Sequence, residues 1–225
     1  MGPAQAREAD RTRLTKQAVV DRALALGDSE GVEALTIRRI ATELGVTPMA
    51  LYWHFRNKEE LLAGVSDQIW SELETDVDLS APWDLQLRGI LESLLHVLRV
   101  HPCASQLILE GEKQSDAMLV ASETALAVLH RGGFDPEQSA EIARNALHTG
   151  LMLVMSEPGF HHAMSAADKA EEQRKLHVRL ALLPPDRYPR LVEAALPMST
   201  CDPEFHYSFG VDLFVAGVKA LAPGR

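Results

Sequence analysis

The chain has 225 residues, of which 46 % are hydrophobic and 24 % are charged, and this balance is typical of a folded globular protein with an apolar core. Its most apolar stretch, residues 145–156, is much shorter than the ~20 residues of a membrane span, and the charged residues 1–13 lack the apolar segment of a signal peptide. The formal net charge of −10 argues against a nucleic-acid partner unless the charges are unevenly distributed.

Helical patterns joined by short turns fill the first third of the chain. Residues 1–13 are polar and Arg-rich, and we expect them to form a flexible arm. Four short polar residues precede apolar runs and are predicted helix N-caps, because their side-chain oxygens accept backbone N–H groups of the first helical turn. These predicted caps are Thr15, Thr36, Thr47 and Asn57.

The remainder of the chain is also predicted to be helical. Further helices are expected at residues 83–100, 103–110, 115–130, 136–157, 171–182, 186–196 and 203–221. The pairs Asp135-Pro136 and Asp202-Pro203 each combine a cap with a proline suited to the first helical position. Residues 158–170 are expected to form a mobile loop. No strand-like alternation occurs in the sequence, so the predicted fold class is all-α, with about nine to ten helices.

Residues 36–55 have the features of a helix-turn-helix. Gly45 permits the left-handed backbone conformation that a tight bend requires. Pro48 occupies the first position of the second helix, where its missing N–H costs nothing. Leu51 and Phe55 are four residues apart and are predicted to face inward. In this motif, residues near the N-terminus of the second helix contact base edges in the major groove of DNA.

Each candidate DNA contact has a side chain suited to a particular part of the duplex. Arg38 is the candidate for a bidentate guanine contact, and Met49 and Ala50 can contact a thymine methyl group. Lys58 begins a helix, where the helix dipole disfavours a cation unless a phosphate lies beside it. The full predicted set is Thr36, Arg38, Thr47, Pro48, Met49, Ala50, Tyr52, Trp53, His54 and Lys58. For Tyr52 and Trp53, core packing is an equally good interpretation, and His54 alone would be an ordinary surface residue.

The distribution of charge supports a DNA-binding region at this end of the chain. Residues 1–60 carry nine basic and nine acidic side chains, whereas the remaining residues carry 13 and 23. Between Arg11 and Lys58 the balance is +3. Because DNA phosphates repel an acidic surface, only this N-terminal region is expected to face DNA.

The run LTIRRIATELGVTPMALYWHFRNKEELL resembles the DNA-binding signature of the TetR (tetracycline repressor) family, through LGV, LYWH and NK at matching spacing. The resemblance implies that five residues occupy DNA-contacting positions: Arg38, Tyr52, Trp53, His54 and Lys58. It also implies that Thr47, Pro48 and Ala50 lie on the recognition face. Because Pro48 and Ala50 replace polar residues of the tetracycline repressors, a different operator sequence is expected.

The C-terminal part resembles the sensor domain of the tetracycline repressors, through Trp83, the GGF turn at 132–134 and the final run FHYSFGVDLFVAGVKAL. In that family, the helices equivalent to residues 136–157 and 203–221 pair with their copies in a dimer. The last helix is apolar on most sides, which agrees with burial in such an interface.

A ligand cavity is expected between the helices of this C-terminal part. The candidate lining residues are Trp70, His96, His101, Gln106, Leu107, Met118, Asn145, His148, Thr149 and Met152. For the histidines an ordinary core or surface role is the alternative, and for the methionines it is core packing. No metal or cofactor site is predicted, because Leu107 stands where an approximate match places the family's metal-binding histidine. His161-His162 has no accompanying ligand pattern.

These observations predict a sequence-specific transcriptional regulator, a repressor released from a palindromic operator by a small molecule. The alternative is an architectural or ligand-independent DNA-binding protein. An enzyme is not expected, since G-x-S-x-G, P-loop, HExxH and GxGxxG motifs are absent. The predicted domains are residues 14–60 for DNA binding and residues 61–225 for ligand binding and dimerisation. Cys103 and Cys201 form no CxxC pair, which predicts free thiols in the cytoplasm.

Overall fold

The computed structural model describes residues 14–76, 78, 80–109, 115–157, 165–200 and 202–223, and every structural statement below concerns these residues. Three sequence predictions lie outside them: the flexible arm at 1–13, the His161-His162 pair and the thiol of Cys201. Most of the expected mobile loop, residues 158–164, is outside them as well.

The described residues form twelve α-helices, one 3₁₀ turn at Val32–Ala34 and no β-strand, which confirms the all-α prediction. The helices are α1 Lys16–Glu30, α2 Ile37–Glu43, α3 Pro48–Tyr52, α4 Lys58–Ser71, α5 Trp83–Val100, α6 Pro102–Leu109, α7 Asp116–Arg131, α8 Pro136–Met155, α9 Ala166–Ala181, α10 Pro189–Glu193, α11 Ala195–Ser199 and α12 Pro203–Leu221. The count exceeds the predicted nine to ten, in part because residues 186–196 form two helices that meet at Ala194. Within this part of the chain, no helix is both long enough and apolar enough to span a membrane.

The predicted N-caps of α1 to α4 are confirmed. The side-chain oxygens of Thr15, Thr36, Thr47 and Asn57 each accept the backbone N–H three residues later, at 2.8–3.4 Å. These bonds satisfy one of the otherwise unpaired N–H groups at each helix start. The local sequence therefore fixes where each helix of the N-terminal region begins.

Two helix boundaries differ from the sequence predictions. Helix α3 ends at Tyr52 rather than near Phe55, because the N–H groups of both His54 and Phe55 donate to the carbonyl of Leu51 and tighten the last turn. Helix α9 starts at Ala166 rather than near residue 171. Its cap is Ser165, whose hydroxyl oxygen accepts the N–H of Asp168 at 3.2 Å.

The first of two compact units comprises residues up to Thr75 together with Val97–Thr124. Its core contains Leu35, Ile40, Leu51 and Phe55, all fully buried. Helices α1 and α6 approach closely at Gly27, where a Cβ atom would lie 3.1 Å from the sulfur of Cys103. The predicted boundary between a DNA-binding domain and a sensor domain, after residue 60, stays a prediction.

The second unit comprises Asp76–His96 and the chain from Ala125 onward, so α5 and α7 contribute to both units. Its buried cluster consists of Leu87, Val128, Leu129, Phe134, Ile142 and Val218. The ring of Trp83 packs edge-on against Phe134, with centroids 5.5 Å apart. Lys219 on α12 donates to the Asp84 carboxylate on α5 at 2.5 Å and lowers the pKa of that carboxyl, so the pair remains ionised and joins the two helices.

Candidate functional site

The helix-turn-helix is formed by α2, the bend at Gly45 and α3. Gly45 has φ of 66°, the left-handed conformation that the sequence predicts for it. The N–H of Val46 donates to the carbonyl of Ala41 at 3.0 Å and closes the bend. Ala41 is 1 % exposed, and α2 and α3 pack against each other. The bend therefore orients α3 with one face inward and the other outward.

Leu51 on α3 and Phe55 in the turn that follows it both point inward and are fully buried. Tyr52 and Trp53 lie between them in sequence and remain exposed, at 50 % and 85 %. The structure therefore favours the surface interpretation of these two aromatic rings over core packing. A large aromatic ring left this exposed is informative, because tryptophan is highly buried on average.

The rest of the predicted recognition surface lies around these two rings. Thr47, Pro48 and Met49 are exposed, and Ala50 and His54 are half-buried. The hydroxyl of Thr47 accepts the cap hydrogen bond and keeps its own hydrogen, which remains available to donate to a phosphate. The same chemistry applies to Thr36 at the start of α2.

Neighbouring arginines on α2 have different environments. Arg39 pairs with Glu30 at 2.8 Å and with Glu43 at 3.0 Å, and Glu43 also pairs with Arg22. The hydrogen bond from Arg22 lowers the pKa of Glu43 and keeps this network ionised. Arg38 is exposed, and among the described residues no carboxylate lies within ion-pair distance of it. Arg39 therefore joins α1 to α2, whereas the guanidinium of Arg38 is available to a ligand.

Lys58 is the first residue of α4 and is half-buried. Asn57 accepts the N–H of Glu60 at 2.8 Å, and the Glu60 carboxylate accepts the N–H of Arg56 at 2.8 Å. These bonds fix the start of the helix and hence the backbone from which the Lys58 ammonium extends.

Lys16 is a further basic residue near the recognition segment, and the sequence did not identify it as a candidate contact. Its ammonium lies 5.2 Å from the centroid of the Phe55 ring. Phe55 is in the turn that follows α3. The available signal was the position of Lys16 as the first residue of α1 after the cap Thr15, which repeats the arrangement of Lys58 after Asn57.

The ligand candidates fall into separate groups. In the first unit Leu107 is buried, and Trp70, Gln106 and Met118 are half-buried. His101 is also buried there, and both of its ring nitrogens contact carboxylates. In the second unit His96, Asn145, His148 and Met152 are exposed and Thr149 is half-buried.

A groove of about 570 Å³ lies at the start of α8 and the end of α12, within the second unit. Its lining residues are Phe134, Glu137, Gln138, Ala140, Glu141, Ile142, Arg144 and Leu221. None of the predicted ligand residues lines this groove.

Helix α12 presents an apolar face that a single chain leaves uncovered. Phe205, Phe209 and Leu213 are 64 %, 55 % and 66 % exposed, and the two phenylalanine rings stack at 5.4 Å. Gly210 allows α8 to approach α12 within one chain, because a Cβ there would lie 2.5 Å from the Leu153 side chain. A Cβ at Gly217 would meet nothing within 4 Å.

Comparison with known proteins divides the chain into two regions. Residues 19–65 match the family model described as bacterial regulatory proteins, tetR family. Residues 78–222 match the model described as tetracyclin repressor-like, C-terminal domain. The transcriptional repressor DrrR1 of Streptomyces coeruleorubidus is 29 % identical over 219 residues, which cover 94 % of this chain and 80 % of that protein.

Two similar solved structures hold ligands of different kinds. ActR of Streptomyces coelicolor in complex with actinorhodin has a TM-score of 0.81 and 25 % identity, covering 95 % of this chain and all of that one. The structure of BioQ in complex with its double-stranded DNA operator has a TM-score of 0.60 and 26 % identity to this chain. That match covers 92 % of this chain and 99 % of the other. A structure of BioQ from Mycobacterium smegmatis is similar as well.

Proposed function

The chain belongs to the tetR family of bacterial regulatory proteins, and from this premise we propose that it is a cytoplasmic homodimeric repressor, bound to a palindromic operator and released by a small molecule. The observation that carries the DNA-binding part is the burial pattern of α3 and the turn after it. Leu51 and Phe55 are fully buried, while Tyr52 and Trp53 are exposed.

The proposed contacts divide between bases and phosphates. Five residues of α3 and its flanking caps face the major groove, where the N-terminal residues of the helix reach base edges. They are Thr47, Pro48, Met49, Ala50 and Trp53. A separate set contacts the sugar–phosphate backbone: Thr36, Tyr52, His54 and Lys58. Arg38, with its exposed guanidinium, pairs with a guanine.

Selection from a random DNA library tests this proposal. A two-fold symmetric dimer presents two recognition helices about 34–36 Å apart, so the selected sequences should be palindromes whose half-sites lie about one helical turn apart. Binding without any consensus sequence would instead favour the architectural alternative.

Arg38→Ala is expected to weaken operator binding by about 1–3 kcal/mol and to relax the preference at one base pair of each half-site. The reason is that a bidentate guanidinium–guanine pair is lost while the exposed position bears no packing. Fluorescence anisotropy on the operator and on single-base variants measures both effects. Equal losses on operator and random DNA would contradict the role assigned to Arg38.

Lys58→Ala is expected to weaken binding to all DNA sequences alike and to reduce the salt slope of log K by about one per monomer. The cause is the loss of one phosphate contact and of the counterion that it displaces. Titrations at several salt concentrations measure the slope. Lys175→Ala is the matched control, because Lys175 is an exposed lysine on α9 that pairs with Glu172.

The sensor part of the proposal assigns a small organic ligand to the C-terminal region. ActR, the similar protein solved with actinorhodin, supports such a role for this helical domain. Candidate residues on α4, α6 and the start of α7 share one compact unit: Trp70, Gln106, Leu107 and Met118. A ligand bound to them acts on α4, and it releases DNA only if it binds the DNA-free conformation more tightly.

A compound panel tests the sensor part. Thermal shift identifies binders, and each binder is then added to the preformed operator complex. A binder that raises the melting temperature and displaces DNA supports the proposal. DNA affinity unchanged by every binder would favour the ligand-independent alternative.

A further inference from the structure

His101 lies between α5 and α6 with its ring held by two carboxylates. Its Nδ1 atom is 2.8 Å from Oδ2 of Asp28, and its Nε2 atom is 2.9 Å from Oε2 of Glu72. The side chain is 11 % exposed. All three residues belong to the first compact unit. The imidazole thus connects the last turn of α1, the end of α4 and the start of α6.

This geometry favours the charged form of the ring. A neutral imidazole carries a single N–H, so one nitrogen lone pair would face a carboxylate oxygen at hydrogen-bond distance. The imidazolium donates from both nitrogens and satisfies both contacts. Burial opposes the charge, and the hydrogen bonds with Asp28 and Glu72 outweigh it, so the pKa of His101 is raised.

The neighbouring groups define the electrostatics of this contact. Among the described residues, the charges acting on His101 are the Asp28 carboxylate from α1 and the Glu72 carboxylate from the end of α4. From α6 the neighbouring titratable group is the buried thiol of Cys103, whose backbone N–H also donates to Asp28 at 3.3 Å. From α5 the backbone carbonyl of Val97 accepts the His101 N–H at 2.9 Å.

Helix α4 has a second polar attachment within the same compact unit. The Asp67 carboxylate accepts the N–H of Ala117 at the start of α7, at 3.1 Å. This attachment contains no histidine. The contact through Glu72 is therefore the one of this pair that contains an imidazole.

We infer that His101 is a positioning residue for operator binding, whose imidazolium holds α1 and α4 in the arrangement that presents the recognition helix to DNA. Loss of one proton leaves a ring nitrogen lone pair facing a carboxylate, and the hydrogen bond to α1 or to the end of α4 is lost. This inference rests on the proposed operator binding. It assigns His101 to the control of helix position rather than to ligand contact.

The direction of the pH effect follows from the raised pKa. A group whose pKa is higher in the folded protein contributes its full stabilisation below its unfolded value of about 6.5. That stabilisation is lost as the pH rises through the folded pKa. Because the arrangement that the imidazolium holds is, on this inference, the one that binds operator, operator affinity should fall as the solution becomes more alkaline.

Operator affinity measured by anisotropy from pH 5.5 to 9 at constant ionic strength tests the inference. We expect wild type to lose about five-fold or more in affinity for operator relative to random DNA, the lower range of allosteric coupling. His101→Gln should have weaker affinity at low pH and a flat profile. His130→Gln, which replaces an exposed histidine on α7, is the control and should keep the wild-type profile.

Glu72→Gln separates positioning from a merely structural role. It removes one charge that favours the imidazolium while retaining a hydrogen-bond acceptor, so the affinity loss should move to lower pH rather than disappear. In the absence of DNA, the pH midpoint of the ¹⁵N chemical shifts of the His101 ring should move to lower pH in the same way. Thermal unfolding by circular dichroism establishes that each variant is folded at the assay temperature.

The outcomes are distinguishable. No operator binding by wild type at any pH contradicts the proposed function and this inference with it. Operator binding with the same pH profile in wild type and folded His101→Gln contradicts this inference alone, as does a midpoint that Glu72→Gln leaves unchanged.

Discussion

Phe55→Ala is expected to reduce the free energy of unfolding by about 3–5 kcal/mol, the largest stability effect among the substitutions considered. Phe55 is fully buried at the end of the recognition segment. Its ring lies against the N-terminal half of α4, since a Cβ at Gly64 would be 3.3 Å from Cε1 of Phe55. Truncation would leave a cavity between α3 and α4 and remove the ring beneath the Lys16 ammonium.

Urea unfolding followed by circular dichroism measures this loss. Trp53→Ala is the matched control, because Trp53 is two residues away and 85 % exposed. That variant should unfold within about 0.5 kcal/mol of wild type and yet bind operator weakly. A Phe55→Ala protein as stable as Trp53→Ala would contradict the packing assigned to Phe55.

Leu213→Glu should convert the dimer to a monomer and weaken operator binding by about 10²–10⁴-fold, the range by which two linked sites exceed one. Leu213 is 66 % exposed on α12, beside the exposed rings of Phe205 and Phe209. Two copies of this face covering one another would bury apolar surface, and a carboxylate within it would be desolvated without a partner. Because each monomer then presents one recognition helix, the second half-site is lost.

Light scattering coupled to size-exclusion chromatography gives the mass, and anisotropy gives the affinity. Leu85→Glu is the control, since Leu85 is 54 % exposed on α5 and lies outside the α12 face. That variant should remain dimeric. A dimeric Leu213→Glu protein would contradict the interface assigned to α12.

The parts of the fold that sequence predicts well are those determined by a few adjacent residues. The caps at Thr15, Thr36, Thr47 and Asn57 and the positive φ of Gly45 each depend on one residue and its near neighbours. The all-α class follows in the same way from the spacing of apolar residues.

The parts that sequence does not predict depend on contacts between distant residues. His101 is a plausible ligand residue until Asp28 and Glu72, 73 and 29 residues away, are seen at its ring nitrogens. Tyr52 and Trp53 are ambiguous until Leu51 and Phe55 are found to fill the interior. What covers the exposed positions on α8 and α12 depends on a second copy of the chain. The pattern of one sequence indicates only that an apolar face is present.

The inward and outward residues of α3 and the turn after it also differ in how freely they can change during evolution. Leu51 and Phe55 hold the helix in place, while Pro48 and Met49 are exposed and contribute little to packing. Given the proposed base contacts of this pair, we expect substitutions there to change the operator that is recognised while the buried residues keep the fold. For the same reason, Pro48 and Met49 are suitable positions to vary when genetic switches that do not cross-react are built on a single sensor domain.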